Sequence, residues 1–185
     1  RELPRAEVAE VTLRPAPDVL AGLGTPVLQT RTGGALAAGR LRLAGERFTC
    51  EAGVLGAVQI RLGAVERVLL PRPGTSAAQL ATRLRQMQRE EVAGKDVFYV
   101  REEDALLTVR GVLAGIDAGA VRFRWRDSER RMARAEVAAI DLAQAGAGPE
   151  PPAGTVTLAD GGRLGFRALR MDAAALVAAF SGVGE

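Results

Sequence analysis

The 185-residue chain contains no histidine and a single cysteine, Cys50. The lack of histidine removes the commonest general base near neutral pH, the Ser-His and Cys-His nucleophile pairs and the commonest transition-metal ligand. One cysteine cannot form a disulfide framework or a thiolate metal cluster within the chain, and we expect Cys50 to behave as a small buried hydrophobe. We therefore predict a non-enzymatic protein with no catalytic residue, no metal site and no cofactor.

Aromatic residues and lysine are also scarce. Aromatics make up 4% of the chain and Lys95 is the single lysine, so the 48% apolar content comes mainly from Ala, Val and Leu and predicts small aliphatic cores. The net charge is only +3 and the basic side is almost wholly arginine, which alone is weak evidence for nucleic acid. No run of about 18 apolar residues and no basic-then-apolar leader is present, so we expect neither a membrane span nor an intact signal peptide.

Internal self-similarity is the main organising feature of the sequence. Residues 26–71 (repeat 1) and 96–143 (repeat 2) each contain a short apolar strand, a turn rich in Gly, Asp or Glu, a longer alternating strand, a hairpin and a closing Val-x-x-[IV] strand. A third copy (repeat 3) opens at residues 154–185 and stops where its last two strands should begin. The sequence therefore predicts three units of similar plan.

The missing strands of repeat 3 are predicted at the other end of the chain. "RAEV" occurs at residues 5–8 and again in the closing part of repeat 2, and the alignment places Leu3, Val8 and Val11 at the apolar positions of closing strands. We therefore expect residues 1–14 to close repeat 3. Closure within one chain, closure between neighbouring chains and excision of the piece from a longer array all fit the pattern.

Two connecting segments differ in composition from the repeats. Residues 75–93 predict a helix, because Ser76 and Gln79 form a capping box, Leu80 and Leu84 follow helical spacing and a glycine supplies the stop. Residues 144–153, "QAGAGPEPPA", are predicted to be a linker by composition.

The repeats resemble a known family at two stretches, "VTLADGGRLGFRALRMDAAALV" and "LLTVRGVLAGIDAGAVRF". Both look like the first Sm motif, leucine-x-aspartate-glycine followed by glycine-x-leucine-x-x-x-aspartate. The resemblance implies a mainly β fold of three tandem small five-stranded SH3-like or Sm-like barrels, one split between the termini, plus one connecting α-helix. The asparagine that follows the motif aspartate in Sm proteins is missing after Asp117 and Asp172, so the RNA pocket of that family is not implied.

The repeats also resemble tandem repeats in exported bacterial proteins, where such units accompany carbohydrate-binding-like or other adhesion modules. That resemblance implies a structural or adhesive role and a periplasmic or cell-surface location. The sequence gives no evidence of a small-molecule substrate.

Arginines supply the candidate binding residues. Strand alternation predicts that Arg122, Arg124 and Arg126 share one face, and further arginines are expected on the partner strand. Such a surface suits the phosphates of nucleic acid or a sulfated or uronic polysaccharide. The predicted binding residues are Arg122, Arg124, Arg126, Arg130 and Arg131.

The same alternation offers a plainer explanation for this strand. It places Trp125 inward with Val121 and Phe123, which indicates a core role for the tryptophan rather than stacking on a base or a sugar. The arginines would then lie on an ordinary solvated sheet face, balanced by Asp127 and Glu129.

Carboxylate pairs could perform acid–base chemistry without histidine. The candidates occupy predicted turns and recur at corresponding positions of the repeats, which favours a structural role. They are Glu102, Glu103 and Asp104, and separately Asp117, Asp160 and Asp172.

Two functional hypotheses follow from these features. The first is a structural or interaction scaffold that engages protein partners, or its own copies, through exposed sheet edges, because an edge strand is a template for another chain. The alternative is a binding module for an anionic polymer, nucleic acid or polysaccharide, that uses the arginines.

Overall fold

The structure, a computed structural model, describes residues 24–87, 94–103, 105–143, 152–158, 161–172 and 175–180, with side chains described as far as residue 168. Within these residues the protein is mainly β, with fourteen strands in one open antiparallel sheet and one α-helix. The prediction of a mainly β fold with one connecting helix is confirmed. The predicted closing strands, with Leu3, Val8 and Val11, lie outside the described residues, as does most of the predicted linker.

Repeat 1 folds so that its last strand returns to its first. The sixth strand pairs with the first, with Val68 opposite Leu28, after a 3₁₀ turn over Leu62–Ala64. The second and third strands are one bent segment, and the third, fourth and fifth strands form a meander. The strands are β1 (Val27–Thr30), β2 (Ala35–Ala37), β3 (Gly39–Ala44), β4 (Arg47–Glu51), β5 (Ala57–Arg61) and β6 (Val65–Leu69).

Repeat 2 has the same plan. Its last strand pairs with its first, with Ile140 opposite Phe98, and follows a 3₁₀ turn over Arg134–Glu136. The long second strand pairs with the first strand at its beginning and with the third at its end. The strands are β7 (Asp96–Glu102), β8 (Ala105–Ile116), β9 (Ala120–Trp125), β10 (Ser128–Ala133) and β11 (Val137–Asp141).

The described part of repeat 3 has three strands, β12 (Gly154–Thr157), β13 (Arg163–Asp172) and β14 (Ala175–Phe180). β13 lies between β12 and β14 and meets β2 of repeat 1, with Arg163 opposite Ala35. A Cβ atom at Gly34 would lie 2.6 Å from the carbonyl oxygen of Arg163, so the junction needs glycine at this position.

An approximate two-fold axis relates repeats 1 and 2. Leu28 faces Val68 and Phe98 faces Ile140 within the repeats, so Val68 and Ile140 are equivalent residues, and these two lie opposite each other where β6 pairs with β11. The flanking hydrogen bonds are reciprocal. They run from the Leu70 amide to the Ala138 carbonyl at 2.8 Å and from the Leu142 amide to the Glu66 carbonyl at 2.9 Å.

The second contact between these repeats obeys the same symmetry. Leu43 faces Phe48 across the β3–β4 turn, and Ile116 faces Val121 across the turn between β8 and β9, so Leu43 and Ile116 are equivalent. They also lie opposite each other where β3 pairs with β8. The two repeats therefore form one continuous, pseudo-symmetric unit.

One hydrophobic cluster runs through all three repeats. It includes Phe48 of repeat 1, Phe98 and Phe123 of repeat 2 and Leu164 of repeat 3, and the rings of Phe98 and Phe123 stack with centroids 4.8 Å apart. Burial of each such side chain contributes about 1.5–3 kcal/mol. Cys50 lies in this cluster and burial raises the pKa of its thiol to about 11, which confirms its predicted role as a small apolar residue.

Within the described residues the connecting helix α1 spans Ala77–Arg85. Its predicted capping box is present, because the Ser76 hydroxyl accepts from the Gln79 amide at 3.1 Å and the Gln79 carboxamide accepts from the Ser76 amide at 2.9 Å. Leu80 and Leu84 are the only buried residues of α1, so apolar packing anchors the helix at two positions one turn apart. Residues 88–93, the end of the predicted helix, lie outside the described residues.

Candidate binding site

The hairpin of β9 and β10 carries all five predicted binding arginines. A two-residue turn, Arg126 and Asp127, joins the strands, so that Trp125 lies opposite Ser128. Arg126 has a φ of 54°, the left-handed conformation that such turns require. β9 also pairs with β8, whereas β10 has no second partner strand within the described residues.

Three of the five arginines share one face of the hairpin. Arg122 lies directly opposite Arg131, and residues directly opposite in an antiparallel pair project to the same side. Arg124 lies on this face too, opposite Glu129. The Arg122 guanidinium is 3.8 Å from the Glu129 carboxylate, and both side chains are exposed. This surface, the arginine face, is thus partly neutralised by its own carboxylate.

The other two arginines, Arg126 and Arg130, do not lie on the arginine face. β9 ends at Trp125, so Arg126 belongs to the turn instead of continuing the alternation. Arg130 lies opposite Phe123 and therefore projects from the side of the sheet opposite to the arginine face. The prediction that Arg126 shares a face with Arg122 and Arg124 is wrong, because β9 ends before Arg126 and the turn begins there.

Trp125 is not a core residue, contrary to the sequence-based interpretation. Its side chain is 41% exposed, because it lies at the strand end, beyond Phe123, the outermost buried residue of β9. Its ring packs against two guanidinium groups, with Arg126 at 4.7 Å and Arg130 at 5.8 Å from the ring centroid. These three residues form a cation–π cluster at the hairpin tip, which we call the Trp-Arg tip. The Arg-Asp turn directly after the tryptophan is the sequence signal for its exposed position.

Arg134, at the start of the 3₁₀ turn that follows β10, has a structural role. One of its guanidinium nitrogens donates to the carbonyls of Leu41 and Asp117, both at 3.0 Å, and so joins repeat 1 to repeat 2. Burial lowers the pKa of Arg134, although the charge of Asp117 opposes that shift.

A buried ion pair at the centre of the sheet was not predicted. Arg67 of β6 and Asp141 of β11 face each other, and the guanidinium donates two hydrogen bonds to the carboxylate, Nη2 to Oδ2 at 2.8 Å and Nε to Oδ1. The Tyr99 hydroxyl donates to Asp141 Oδ2 at 3.0 Å. The hydrogen bond to Asp141 raises the pKa of Arg67 despite its burial. The sequence signal was the presence of charged residues in two otherwise apolar closing strands, Glu66 and Arg67 in β6 and Asp141 in β11.

The candidate carboxylates that the structure describes lie at three separate turns or strand ends. Asp117 accepts from the amides of Gly119 at 2.9 Å and Ala120 at 2.8 Å, and these hydrogen bonds lower its pKa. Glu102 and Glu103 are exposed at the β7–β8 turn, and Asp172 ends β13. Asp104 and Asp160 lie outside the described residues. Among the residues that are described, no group of three His, Cys, Asp or Glu side chains could hold a metal ion.

A surface cleft of about 630 Å³ lies beside the junction of β3 and β8. Two of the three arginines that line it have partners, since Arg134 donates to backbone carbonyls and Arg40 pairs with Glu51 at 2.9 Å. Leu41 and Ala57 make much of the remaining wall apolar. The cleft thus combines paired arginines and apolar groups with the exposed side chains of Arg42 and Thr49.

No family model matches the chain, and neither a curated protein nor a solved structure matches it. In the part of the chain that the structure describes, no helix is long and apolar enough to cross a membrane.

Proposed function

We propose that the chain is a non-enzymatic interaction scaffold that engages protein partners, its own copies included, through open sheet edges. We propose further that it consists of three small five-stranded barrels of the SH3-like or Sm-like kind. One barrel is split, with residues 1–14 completing the unit that opens at 154–185. The role of this three-barrel chain is structural or adhesive.

The barrel interpretation is supported by the pairing within each complete repeat. β6 pairs with β1 and β11 pairs with β7, so the last strand of each repeat returns to the first. A 3₁₀ turn precedes the last strand in both repeats, and the second strand of the plan is long or bent in both. The strand order fits a small barrel that a strongly curved sheet nearly closes.

The observation that carries the scaffold function is the set of open edges. Within the described residues β5 pairs only with β4, and β10 pairs only with β9. An open edge presents unpaired N–H and C=O groups to any extended chain of suitable side-chain pattern. A sheet with several such edges can bind several partners or assemble with itself.

Sedimentation velocity over a concentration series tests this function. We expect a concentration-dependent rise in sedimentation coefficient that persists at high salt, because backbone pairing is less screened than surface charge. Amide hydrogen exchange should show protection at an edge strand that increases with concentration. A chain that stays monomeric at every concentration, with the same edge protection throughout, would overturn self-assembly as its function.

The Trp-Arg tip favours a second candidate function, the binding of an anionic polymer. An exposed tryptophan beside Arg126 and Arg130 offers both a stacking surface and positive charge, and the arginine face adds charge on the other side of the hairpin. Nucleic acid and sulfated or uronic polysaccharide share the anionic chemistry that such a hairpin would recognise.

Retention on heparin and binding to DNA over a salt series test this second function. The double variant Arg126→Ala/Arg130→Ala should weaken DNA binding and reduce the slope of log K against log salt by about two, since each lost phosphate contact contributes about 0.9. Arg42→Ala/Arg61→Ala is the matched control, because it removes the same charge from exposed sites in repeat 1. Equal losses in both variants would show general charge attraction and contradict a dedicated site.

A further inference from the structure

The repeats meet by a common rule, which is that equivalent residues lie opposite each other. Two contacts between repeats 1 and 2 obey it, as described above. In repeat 3 the Leu158 amide donates to the Gly162 carbonyl at 2.7 Å, and in repeat 1 the Thr30 amide donates to the Gly34 carbonyl at 2.9 Å. These matching turns make the residues that follow them, Arg163 and Ala35, equivalent, and they also face each other.

Repeat 2 has a counterpart of the edge at which repeat 3 joins repeat 1. Leu28 faces Leu36 in repeat 1 and Phe98 faces Val109 in repeat 2, so Thr108 is the equivalent of Ala35. Along residues 105–111, β8 pairs with β7 on one side only, because β9 first meets β8 at Val112. We call this stretch the β8 edge. It has no partner on its other side within the described part of the chain.

The burial of equivalent side chains shows that the β8 edge is incompletely covered. Leu36 of repeat 1 is 0% exposed, and Leu164 of the adjoining repeat 3 lies in the same cluster. Val109, the equivalent of Leu36 in repeat 2, is only partly buried, and Leu107 beside it is 48% exposed. Val109 and Leu107 face Phe98 and Val100, so both project toward the side of the sheet that holds the core.

We propose that a second copy of this chain pairs with the β8 edge, antiparallel and about a two-fold axis through Thr108. The inference deepens the proposed scaffold function and rests on it. Thr108 is the midpoint of the β8 edge, so the pairing uses its full length and places like residues opposite each other, as at the other three contacts. The interface is then isologous and closes as a dimer.

This pairing is chemically compatible across its whole length. Residues facing each other have numbers that sum to 216, so Leu107 of each copy faces Val109 of the other and gains an apolar neighbour. Leu106 faces Arg110 of the other copy and Ala105 faces Gly111, so no like charges are opposed. Backbone hydrogen bonds between the two edges extend the sheet from one copy into the next.

Cysteine cross-linking tests the register. In a Cys50→Ala background, Thr108→Cys should form an intermolecular disulfide under mild oxidation, because opposed antiparallel residues have Cα atoms about 4.5–5.5 Å apart and disulfides need about 4.4–6.8 Å. Val112→Cys is the matched control. It lies on the same strand and is 37% exposed, but β9 occupies that side of β8. Equal cross-linking of both variants would contradict the proposed axis.

A charged substitution tests the apolar contact independently. Leu107→Lys should raise the dimer dissociation constant by about tenfold or more, whereas Val112→Lys should leave it unchanged. Circular dichroism should show both variants folded, since both side chains are exposed. If the wild type associates but Leu107→Lys has no effect and Thr108→Cys fails to cross-link, the β8 edge is wrong and the scaffold function survives. If the wild type is monomeric at every concentration, the proposed self-assembly fails as well.

Discussion

Arg31 and Arg101 are equivalent residues that clamp the two complete repeats together from opposite sides of the two-fold axis. Arg31 donates from Nη2 to the carbonyl of Leu142 at 3.0 Å, at the end of repeat 2. Arg101 donates from Nη2 to the carbonyl of Leu70, the equivalent position in repeat 1. Each arginine also binds a carbonyl at the closing turn of its own repeat, Gly63 at 3.1 Å and Ala135 at 2.9 Å respectively.

The first prediction concerns this clamp. Arg101→Ala should lower the free energy of unfolding by about 1.5–3 kcal/mol, because hydrogen bonds from a charged donor to partly buried carbonyls are lost. Burial lowers the pKa of Arg101 to about 10, and the charge of Arg72 is a smaller cause. The cost of burying the Arg101 charge therefore offsets part of the stability that its hydrogen bonds contribute. Urea unfolding measures the change. Arg85→Ala, on the exposed face of α1, is the control, and an equal loss there would contradict the clamp.

The second prediction concerns the buried pair of Arg67 and Asp141, whose side chains are 13% and 6% exposed. Asp141→Ala should cost about 3–5 kcal/mol of unfolding free energy, because it leaves a buried guanidinium without its carboxylate. Glu51→Ala, which breaks the exposed pair with Arg40, should cost at most about 1 kcal/mol. Chemical denaturation of both variants provides the comparison.

The double variant Arg67→Leu/Asp141→Leu separates specific pairing from packing. It should be more stable than Asp141→Ala, since neither charge then remains buried alone. A double variant that is less stable than Asp141→Ala would contradict this explanation.

The third prediction is a pH dependence at Asp96. Its carboxylate accepts from the amides of Leu113 at 2.6 Å and Ala143 at 2.8 Å, yet burial dominates and raises the pKa of Asp96. The folded protein therefore binds this proton more tightly than the unfolded chain does. The stability that Asp96 contributes is greatest below the ordinary aspartate pKa of about 4 and decreases as the pH rises through the folded pKa.

Unfolding free energies of the wild type and Asp96→Ala, measured from pH 3 to 7, test that sign. We expect the stability advantage of the wild type over the variant to become smaller with rising pH. An advantage that grows with pH would mean that the two amide hydrogen bonds outweigh burial and lower the pKa.

The fourth prediction compares two aromatic residues on the same face of β9. Phe123→Ala should cost about 3–5 kcal/mol, because Phe123 is buried in the main cluster against Phe98. Trp125→Ala should cost about 1 kcal/mol or less, because Trp125 is 41% exposed and its ring packs on the guanidinium groups of the Trp-Arg tip. Thermal unfolding measures the stability of both variants. Equal losses of stability would indicate that Trp125 is a core residue.

Local features of the fold were predictable because their causes are local. Alternation of apolar and polar residues marked β9, the Ser76 and Gln79 spacing marked the start of α1, and neutral small Cys50 was correctly expected to be buried. The candidate binding site was predictable only in part. Alternation along β9 correctly placed Arg122 and Arg124 on the same face, but it could not show where the strand ends and the turn begins.

Contacts between distant residues could not be read from the sequence in the same way. Arg67 and Asp141 are 74 positions apart in the sequence, and Arg31 and Leu142 are 111 apart. The residues next to each of them in the sequence give no sign of the contact. Their roles arise because β6 and β11 pair with one particular register. That choice depends on the summed burial of both repeats, so no single segment specifies it.

The sequence by itself determined that this protein is built from strand-rich repeats with one capped helix, because side-chain periodicity, turn residues and capping act over a few neighbouring positions. Only the tertiary structure decided that the complete repeats share one core about a two-fold axis, that Trp125 is exposed and that the β8 edge has no described partner. These features depend on which distant strands pair and in which register, and the free energy of that pairing is distributed over contacts that lie far apart in the chain.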